Sequence, residues 1–155
     1  MSLPFTRSVL TALLLALTLA SAGSAQATVG AKAPAPGKAD PDLALANKAA
    51  LEWLALADAG KFDATWDEAA TAFQRVQKKA EWSKGLTGAR AAVGKLVSRS
   101  FLNQEVRTSL PNLPPGKYIT VRFKSVFENR KDGSESVTLL RDGARGFRTI
   151  AYFLG

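Results

Sequence analysis

The chain has 155 residues, with no cysteine and no histidine, and its 21 lysines and arginines outnumber its 13 acidic residues. The missing cysteines exclude disulfides, thiol catalysis and a lipid-modified N-terminus, and the missing histidines remove the commonest metal ligand and general base near neutral pH. The positive excess favours anionic partners.

The N-terminal 27 residues have the three-part layout of a secretory signal peptide. A single positive charge, Arg7, precedes an apolar run from Val9 to Ala20 and then a stretch of small residues. This run is shorter than the ~20 residues that a membrane-spanning helix needs. We therefore predict a signal peptide over residues 1–27, cleaved after Ala27 or alternatively after Ala22. The expected product is periplasmic or secreted, with no membrane span after cleavage.

The residues after the predicted cut divide into a linker and one domain. Residues 28–40 are rich in Ala, Pro, Gly and Lys and lack hydrophobic periodicity, which predicts a flexible linker. Residues 41–155 suffice for a single domain with one core. Asp40 followed by Pro41 is typical of a helix start, and apolar residues at three- and four-residue steps extend this helix to about Ala59.

Two further helices are expected before the chain changes its pattern. Thr65 with Glu68 three residues later is a reciprocal capping arrangement, which predicts a helix from Thr65 to about Val76. Asp63 is a competing cap for the same helix. A third helix is predicted from near Trp82 to the residue before Gly94.

Beyond Gly94 the hydrophobic period changes from about 3.6 to 2, which indicates strands. The predicted strands are Leu96 to Val106, Lys117 to Glu128, Ser134 to Arg141 and Phe147 to Leu154. A proline-rich loop joins the first two, and hairpin turns join the others. The predicted fold class is therefore α+β, with about three N-terminal helices packed on a curved four-stranded antiparallel sheet.

A set of short motifs spans the chain from Leu43 to Leu154. They are Trp53-Leu54 with Asp58 and Gly60; Trp66 with Ala69, Ala70 and Phe73; Trp82, Leu86, Arg90 and Gly94; Ser98-Arg99; the segment from Leu110 to Tyr118; Phe123 with Phe127; Glu135 with Val137-Thr138; and Asp142-Gly143 before a closing aromatic strand. In this combination the chain resembles the bacterial family called domain of unknown function 4019. The resemblance implies an exported domain of unrecorded activity, similar in layout to the cystatin-like and nuclear-transport-factor-2-like cones.

The polar residues of the sequence carry no signature of catalysis. Asp58, Asp63, Asp67 and Glu68 lie near predicted helix ends, where capping and the helix dipole account for acidic residues. Their spacing matches no calcium loop, and the serines have neither a histidine nor a G-x-S-x-G turn to activate them. We therefore predict no catalytic residue, no cofactor and no metal.

Basic residues are the main candidates for ligand binding. The set is Arg90, Arg99, Arg122, Lys124, Arg141 and Arg148. Guanidinium groups bind planar anions through paired hydrogen bonds, although the solvent face of an antiparallel sheet is also normally polar. The predicted ligand-binding residues are Arg90 and Arg99 with Trp82 and Tyr118. In the alternative interpretation the two arginines pair with Glu52, Glu81 or a buried backbone carbonyl.

These features favour a non-enzymatic binding or interaction module of the cell envelope. Its expected partner is an anionic envelope ligand or a second copy bound through the sheet, and the exported address disfavours nucleic acid. The alternative is a small hydrolase or isomerase with a cone-like pocket, in which Asp58 or Glu135 acts as general base against Arg90 or Tyr118. An enclosed polar pocket with a carboxylate beside Tyr or Arg would favour the enzyme.

Overall fold

The computed structural model describes residues 40–155, so the predicted signal peptide and all but the last residue of the predicted linker lie outside the described residues. The helices are α1 (Pro41–Asp58), α2 (Phe62–Asp67), α3 (Thr71–Val76) and α4 (Lys79–Val93). The strands are β1 (Leu96–Arg107), β2 (Tyr118–Phe127), β3 (Gly133–Arg141) and β4 (Phe147–Leu154), and a 3-10 helix (Gly143–Arg145) lies between β3 and β4. The α+β class is confirmed. Within residues 40–155, no helix has both the length and the apolar character needed to cross a membrane.

The four strands form one open antiparallel sheet in the order β1-β2-β3-β4, so β1 and β4 are its edges. The strand bounds agree with the predicted segments to within one residue at each end. The register shifts twice in β1, between Leu96 and Ser98 and between Phe101 and Asn103, and once more where β3 meets β4. Such bulges bend a strand and increase its twist.

The first helix begins and ends as its sequence predicts. The Asp40 carboxylate accepts the backbone N–H of Asp42 at 3.0 Å, and Pro41 occupies the first helical position. After the last turn, Gly60 has a φ of 71°, which glycine adopts without a steric penalty. The buried face of α1 consists of Ala46, Ala50, Trp53, Leu54 and Ala57. Its three alanines let the helix backbone lie close to the sheet.

The single helix predicted from Thr65 is instead two short helices, and the predicted capping role of Thr65 is wrong. Helix α2 already begins at Phe62, so Thr65 lies inside it, fully buried, with its hydroxyl donating to the Phe62 carbonyl at 2.6 Å. The helix stops before Ala70 because the Ala70 N–H donates to the Thr149 carbonyl of β4 at 2.8 Å, and Ala70 becomes extended. Pairing with the sheet edge therefore overrides the local helical pattern.

Helix α3 is capped by a residue distant in sequence. The backbone N–H and the hydroxyl of Thr71 both donate to the Asp142 carboxylate, at 2.9 and 3.0 Å. Asp142 lies directly before the 3-10 helix, where a simple hairpin turn is expected from Asp142-Gly143. Helical structure is therefore not confined to the N-terminal half of the domain.

Helix α4 starts three residues before its predicted position at Trp82 and ends as expected before Gly94. Gly94 has a φ of 75°, and a side chain there would also approach Glu128 to 3.0 Å. Both observations explain a glycine at the point where the chain turns from helix into β1.

Two apolar clusters fill the space between helices and sheet. The larger one contains Ala46, Ala50, Trp53, Leu54, Ala57, Leu86, Ile119, Val121, Phe123, Val137, Leu139 and Phe147. The smaller one contains Ala70, Tyr118, Leu140 and Ile150, with Phe73 of α3 packed against it. Strand β1 is different, because none of its residues is buried.

Candidate functional site

Four charged side chains from four different elements meet at one end of the sheet. Asp58 ends α1, Arg90 lies on α4, Arg99 on β1 and Glu135 on β3. The Arg90 guanidinium donates to Glu135 at 2.9 Å and contacts Asp58, while Arg99 donates to Glu135 at 2.7 Å and to both oxygens of Asp58 at 2.8 and 3.0 Å. We call these four residues the arginine–carboxylate cluster.

The carboxylate of Glu135 is fully buried, and each of its two oxygens accepts two hydrogen bonds. Its Oε1 accepts hydrogen bonds from Arg90 and from the Tyr152 hydroxyl at 2.7 Å. Its Oε2 accepts from Arg99 and from the Ser125 hydroxyl at 2.6 Å. A carboxylate has about four lone-pair positions, so each of them has a donor. With 0% of its side chain exposed, Glu135 offers no oxygen to a substrate.

The surroundings of the cluster keep Arg99 and the neighbouring Tyr152 in their usual protonation states. Burial lowers the pKa of Arg99, but hydrogen bonds to Asp58 and Glu135 outweigh this effect and raise the pKa above its usual value. Burial raises the pKa of the Tyr152 phenol, and the neighbouring Glu135 charge raises it further. Neither group exchanges a proton near neutral pH, so the arrangement suits a structural role better than acid–base chemistry.

The structure brings together only part of the predicted ligand-binding set. Arg90 and Arg99 are neighbours, but their partners are Asp58 and Glu135, not Glu52, Glu81 or a backbone carbonyl. Trp82 lies beside Trp53, with ring centroids 6.2 Å apart.

The indole N–H of Trp82 donates to the hydroxyl of Thr65 at 2.9 Å. Tyr118 lies seven residues along β2 from Ser125, a separation of about 23 Å in an extended strand. Its hydroxyl donates to the carbonyl of Pro114. Tyr118 therefore does not join the arginines, and ligand binding by any of the four residues stays a prediction.

The sequence analysis did not predict Ser125 or Tyr152 as site residues. For Ser125 the sequence does contain a signal, which begins with its hydrogen-bond partner Glu135. Glu135 shares the inward parity of β3 with Val137 and Leu139, both fully buried. An acidic residue at an inward position of a strand must find buried partners, since an unpaired buried charge is very costly. Ser125 occupies an inward position of β2 in the same way.

A groove of about 500 Å³ lies between one flank of α1 and the start of β4. Its apolar lining consists of Leu45, Ala49, Trp53, Leu56 and Phe147. Its charged lining consists of Lys48, Glu52, Glu68, Arg141, Arg145 and Arg148. We call it the α1–β4 groove. Cationic side chains outnumber carboxylates among the residues that line it.

Each arginine of the groove contacts a carboxylate, but these pairs are partly exposed. The pairs are Arg141 with Asp42 at 2.8 Å, Arg145 with Asp142 at 3.3 Å, and Arg148 with Glu68. Exposed ion pairs contribute little net free energy and are screened by salt. An anion entering the groove can therefore replace a carboxylate at a guanidinium without a large penalty.

Two further polar groups bear on this region. Thr149 lines the groove and is 4% exposed, and its hydroxyl oxygen is buried without a hydrogen-bond partner within residues 40–155. The N–H of Thr71 donates to Asp142 and holds the pKa of that carboxyl below its usual value. Asp142 is thus committed to capping α3, and the buried Thr149 hydroxyl has no exposed surface to offer a ligand.

The remaining features near these sites are less suited to binding. A cavity of about 330 Å³ borders the arginine–carboxylate cluster beside Asp58 and Arg90. Asp58, with 23% of its side chain exposed, is the most exposed member of the cluster, but two arginines already bind it. No group of three or more acidic residues in the described part of the chain is arranged to hold a metal ion.

Comparison with known proteins yields one match. The model of a family described as a protein of unknown function, DUF4019, matches residues 49–152. No curated protein and no solved structure matches the chain significantly. The matched span contains the whole arginine–carboxylate cluster and most of the α1–β4 groove.

Proposed function

This chain belongs to the DUF4019 family of proteins of unknown function, and within that family we propose that it is a non-enzymatic binding module of the bacterial cell envelope. The signal-like N-terminus supports the envelope address. The observation that carries the binding role is the α1–β4 groove, which combines an apolar lining with arginine side chains.

The ligand that fits this groove is a small amphiphile with an anionic head. Arg145 and Arg148 can bind a carboxylate or a phosphate through paired N–H donors. Leu45 and Leu56 can pack against an alkyl chain. A volume of about 500 Å³ lies within the usual range of small-molecule sites.

In the alternative function, a hydrolase or isomerase, neither of the two predicted bases is open to a substrate. Glu135 is buried and accepts hydrogen bonds from four donors, and Asp58 is held by two arginines. A general base must lie within hydrogen-bond reach of the substrate proton. We therefore propose binding without catalysis.

For the fold we propose a relationship to the cystatin-like and nuclear-transport-factor-2-like cones. A four-stranded antiparallel meander packed on α1 and the bulges in the outer strands support this proposal. Bulged strands curve a sheet, and a curved sheet leaves a concavity beside the helix that it wraps.

Thermal shift measurements with a matched set of probes test the proposed function. Sodium decanoate should raise the melting temperature of the isolated protein in a dose-dependent way, because a native-state ligand stabilises the fold. Acetate, which lacks the chain, and decyltrimethylammonium, which carries the opposite charge, should have no such effect. Equal responses to all three probes would contradict the proposal.

Charge-removal variants locate the binding site. Arg148→Gln should weaken decanoate binding about tenfold, since one charge-assisted contact is worth roughly 1.5 kcal/mol. Arg75→Gln removes the same charge from an exposed position on α3 outside the groove and serves as the control. If both variants bind decanoate equally well, the ligand does not use the α1–β4 groove.

A further inference from the structure

Strand β1 is a long and exposed sheet edge. It spans 12 residues, pairs with β2 on one side, and contains no buried residue. Four of its large apolar side chains are exposed: Val97 by 62%, Phe101 by 53%, Leu102 by 59% and Val106 by 43%. Natural proteins normally protect such edges, because the free N–H and C=O groups recruit another strand. An exposed apolar edge of this length is a candidate for pairing with another strand.

A bulge determines which face of the sheet these side chains occupy. Phe101 lies opposite Phe123 and Val106 lies opposite Ile119, and both of these β2 residues are buried under the helices. Phe101 and Val106 therefore project from the same face, although an interval of five residues would place them on opposite faces of a regular strand. The extra residue is Leu102, which has no partner on β2.

We propose that β1 pairs in antiparallel orientation with β1 of a second copy, about a twofold axis between Phe101 and Leu102. In this register Val97 lies opposite Val106 of the other copy, and Phe101 lies opposite Leu102. The four exposed apolar residues thus form apolar pairs across the proposed interface. The free backbone groups of the edge also gain partners, so two four-stranded sheets become one continuous sheet.

The bulge makes this register consistent on both faces of the sheet. Ser100 lies opposite Lys124 and Asn103 lies opposite Arg122, so both project from the face away from the helices. In the proposed pairing Ser100 lies opposite Asn103 of the second copy, and outward residues meet outward residues. A regular strand with the same axis would bring inward residues opposite outward ones. The position of the bulge therefore favours a self-pairing register.

The polar residues of β1 are compatible with the same register. In the proposed dimer Gln104 lies opposite Arg99 of the second copy, so a neutral side chain faces a cationic one. Glu105 meets Ser98 of the other copy, so no like charges lie directly opposite each other.

Disulfide trapping tests the register. Because the chain has no native cysteine, any disulfide must join two introduced cysteines. The double variant Ser100→Cys/Asn103→Cys places two cysteine pairs directly opposite, at Cα distances of about 4.5–5.5 Å that suit a disulfide. The control Ser98→Cys/Asn103→Cys displaces one member by two residues along the same face. Under mild oxidation the first variant should give about tenfold more covalent dimer than the control, whose pairs are diagonal at about 7–8 Å. Equal yields, or no dimer with either variant, would overturn the register.

Molar mass in solution tests the dimer itself. Protein isolated after expression of the full chain should have twice the mass of one chain by light scattering, and Leu102→Lys should reduce it to one. Lysine on an edge strand opposes pairing, and Leu102 is exposed, so the fold should persist by circular dichroism. Val76→Lys is the matched control, because Val76 is 82% exposed on α3, and it should remain dimeric. A monomeric wild-type protein, or a dimer that survives Leu102→Lys, contradicts the proposal.

Discussion

The arginine–carboxylate cluster and the ion pairs of the α1–β4 groove contain the same chemical groups in opposite environments. In the cluster, Glu135 has no exposed surface and accepts four hydrogen bonds. In the groove, Arg148 and Glu68 contact each other with 29% and 51% of their side chains exposed. An ion pair therefore indicates a ligand site only where one of its partners can be exchanged for the ligand.

The energetics of the two regions differ for a physical reason. Removing one partner of a buried pair leaves an uncompensated charge in a poorly solvated place, which costs about 3–5 kcal/mol. Removing one partner of an exposed pair costs about 0–1 kcal/mol, because water replaces it. The cluster therefore holds α1, α4, β1 and β3 together. The arginines of the groove, in contrast, can exchange their carboxylate partners for an anionic ligand.

The largest expected effect comes from Glu135→Ala. This variant leaves Arg90 and Arg99 paired only with Asp58, so the free energy of unfolding should fall by about 3–5 kcal/mol in urea titrations. Glu68→Ala is the exposed counterpart. Equal losses for the two variants would remove the distinction between the two regions.

A second test alters the cluster without changing its charge. Tyr152→Phe deletes the hydroxyl that donates to Glu135 at 2.7 Å and accepts from Arg90 at 3.2 Å. The ring can stay against Trp53, so the loss should reflect the hydrogen bonds alone, about 1–3 kcal/mol. Urea titration at neutral pH measures it, and a change below a few tenths of a kcal/mol would show that the cluster does not need this donor.

The third prediction concerns pH at the edge of the groove. The pKa of Asp142 is lowered in the folded state by the N–H of Thr71, so its contribution to stability is present above its unfolded pKa of about 3.9 and is lost as the pH falls through the folded value. Asp142→Asn should destabilise the protein by ~1 kcal/mol at pH 7. The difference from wild type should shrink as the pH falls below the unfolded value. A difference that is constant from pH 7 to pH 2 would contradict the capping role.

The smallest effect is expected for Glu68→Gln. It removes the carboxylate that contacts Arg148 at an exposed position, so stability should change by less than about 1 kcal/mol. Decanoate binding should become tighter, because the ligand no longer competes with Glu68 for the guanidinium. A calorimetric titration of both proteins provides the comparison, and weaker binding by the variant would indicate that Glu68 itself contacts the ligand.

Much of the fold follows from the sequence because it depends on neighbouring residues. Strand alternation locates β2 to within one residue, Asp40 with Pro41 marks the start of α1, and Gly94 marks the change from helix to strand. Each of these signals acts over a few residues. The same local reasoning is wrong at Thr65, where it predicts a cap, because sheet pairing at Ala70 interrupts the helix.

The candidate sites follow from the sequence only in part. Arg90 and Arg99 are predicted to be important, but their partners are not, since Asp58 and Glu135 lie 32 to 45 residues from Arg90. Local sequence patterns do not predict the α1–β4 groove either, because the residues of its two walls are about a hundred positions apart in the chain. Arg141 and Arg148 belong to the predicted basic set, whereas Thr149 carries no sequence signal of its own.

Local sequence patterns are enough to predict the α+β class, the four strands and the caps of the first helix, and the composition excludes thiol and imidazole chemistry. These properties depend on side-chain type and on periodicity along the chain. Tertiary structure alone decided that Asp142 caps α3, that Glu135 is saturated with donors, and that β1 remains an exposed apolar edge. Those outcomes depend on which distant residues share a place and exclude water from it, and no local pattern encodes that proximity.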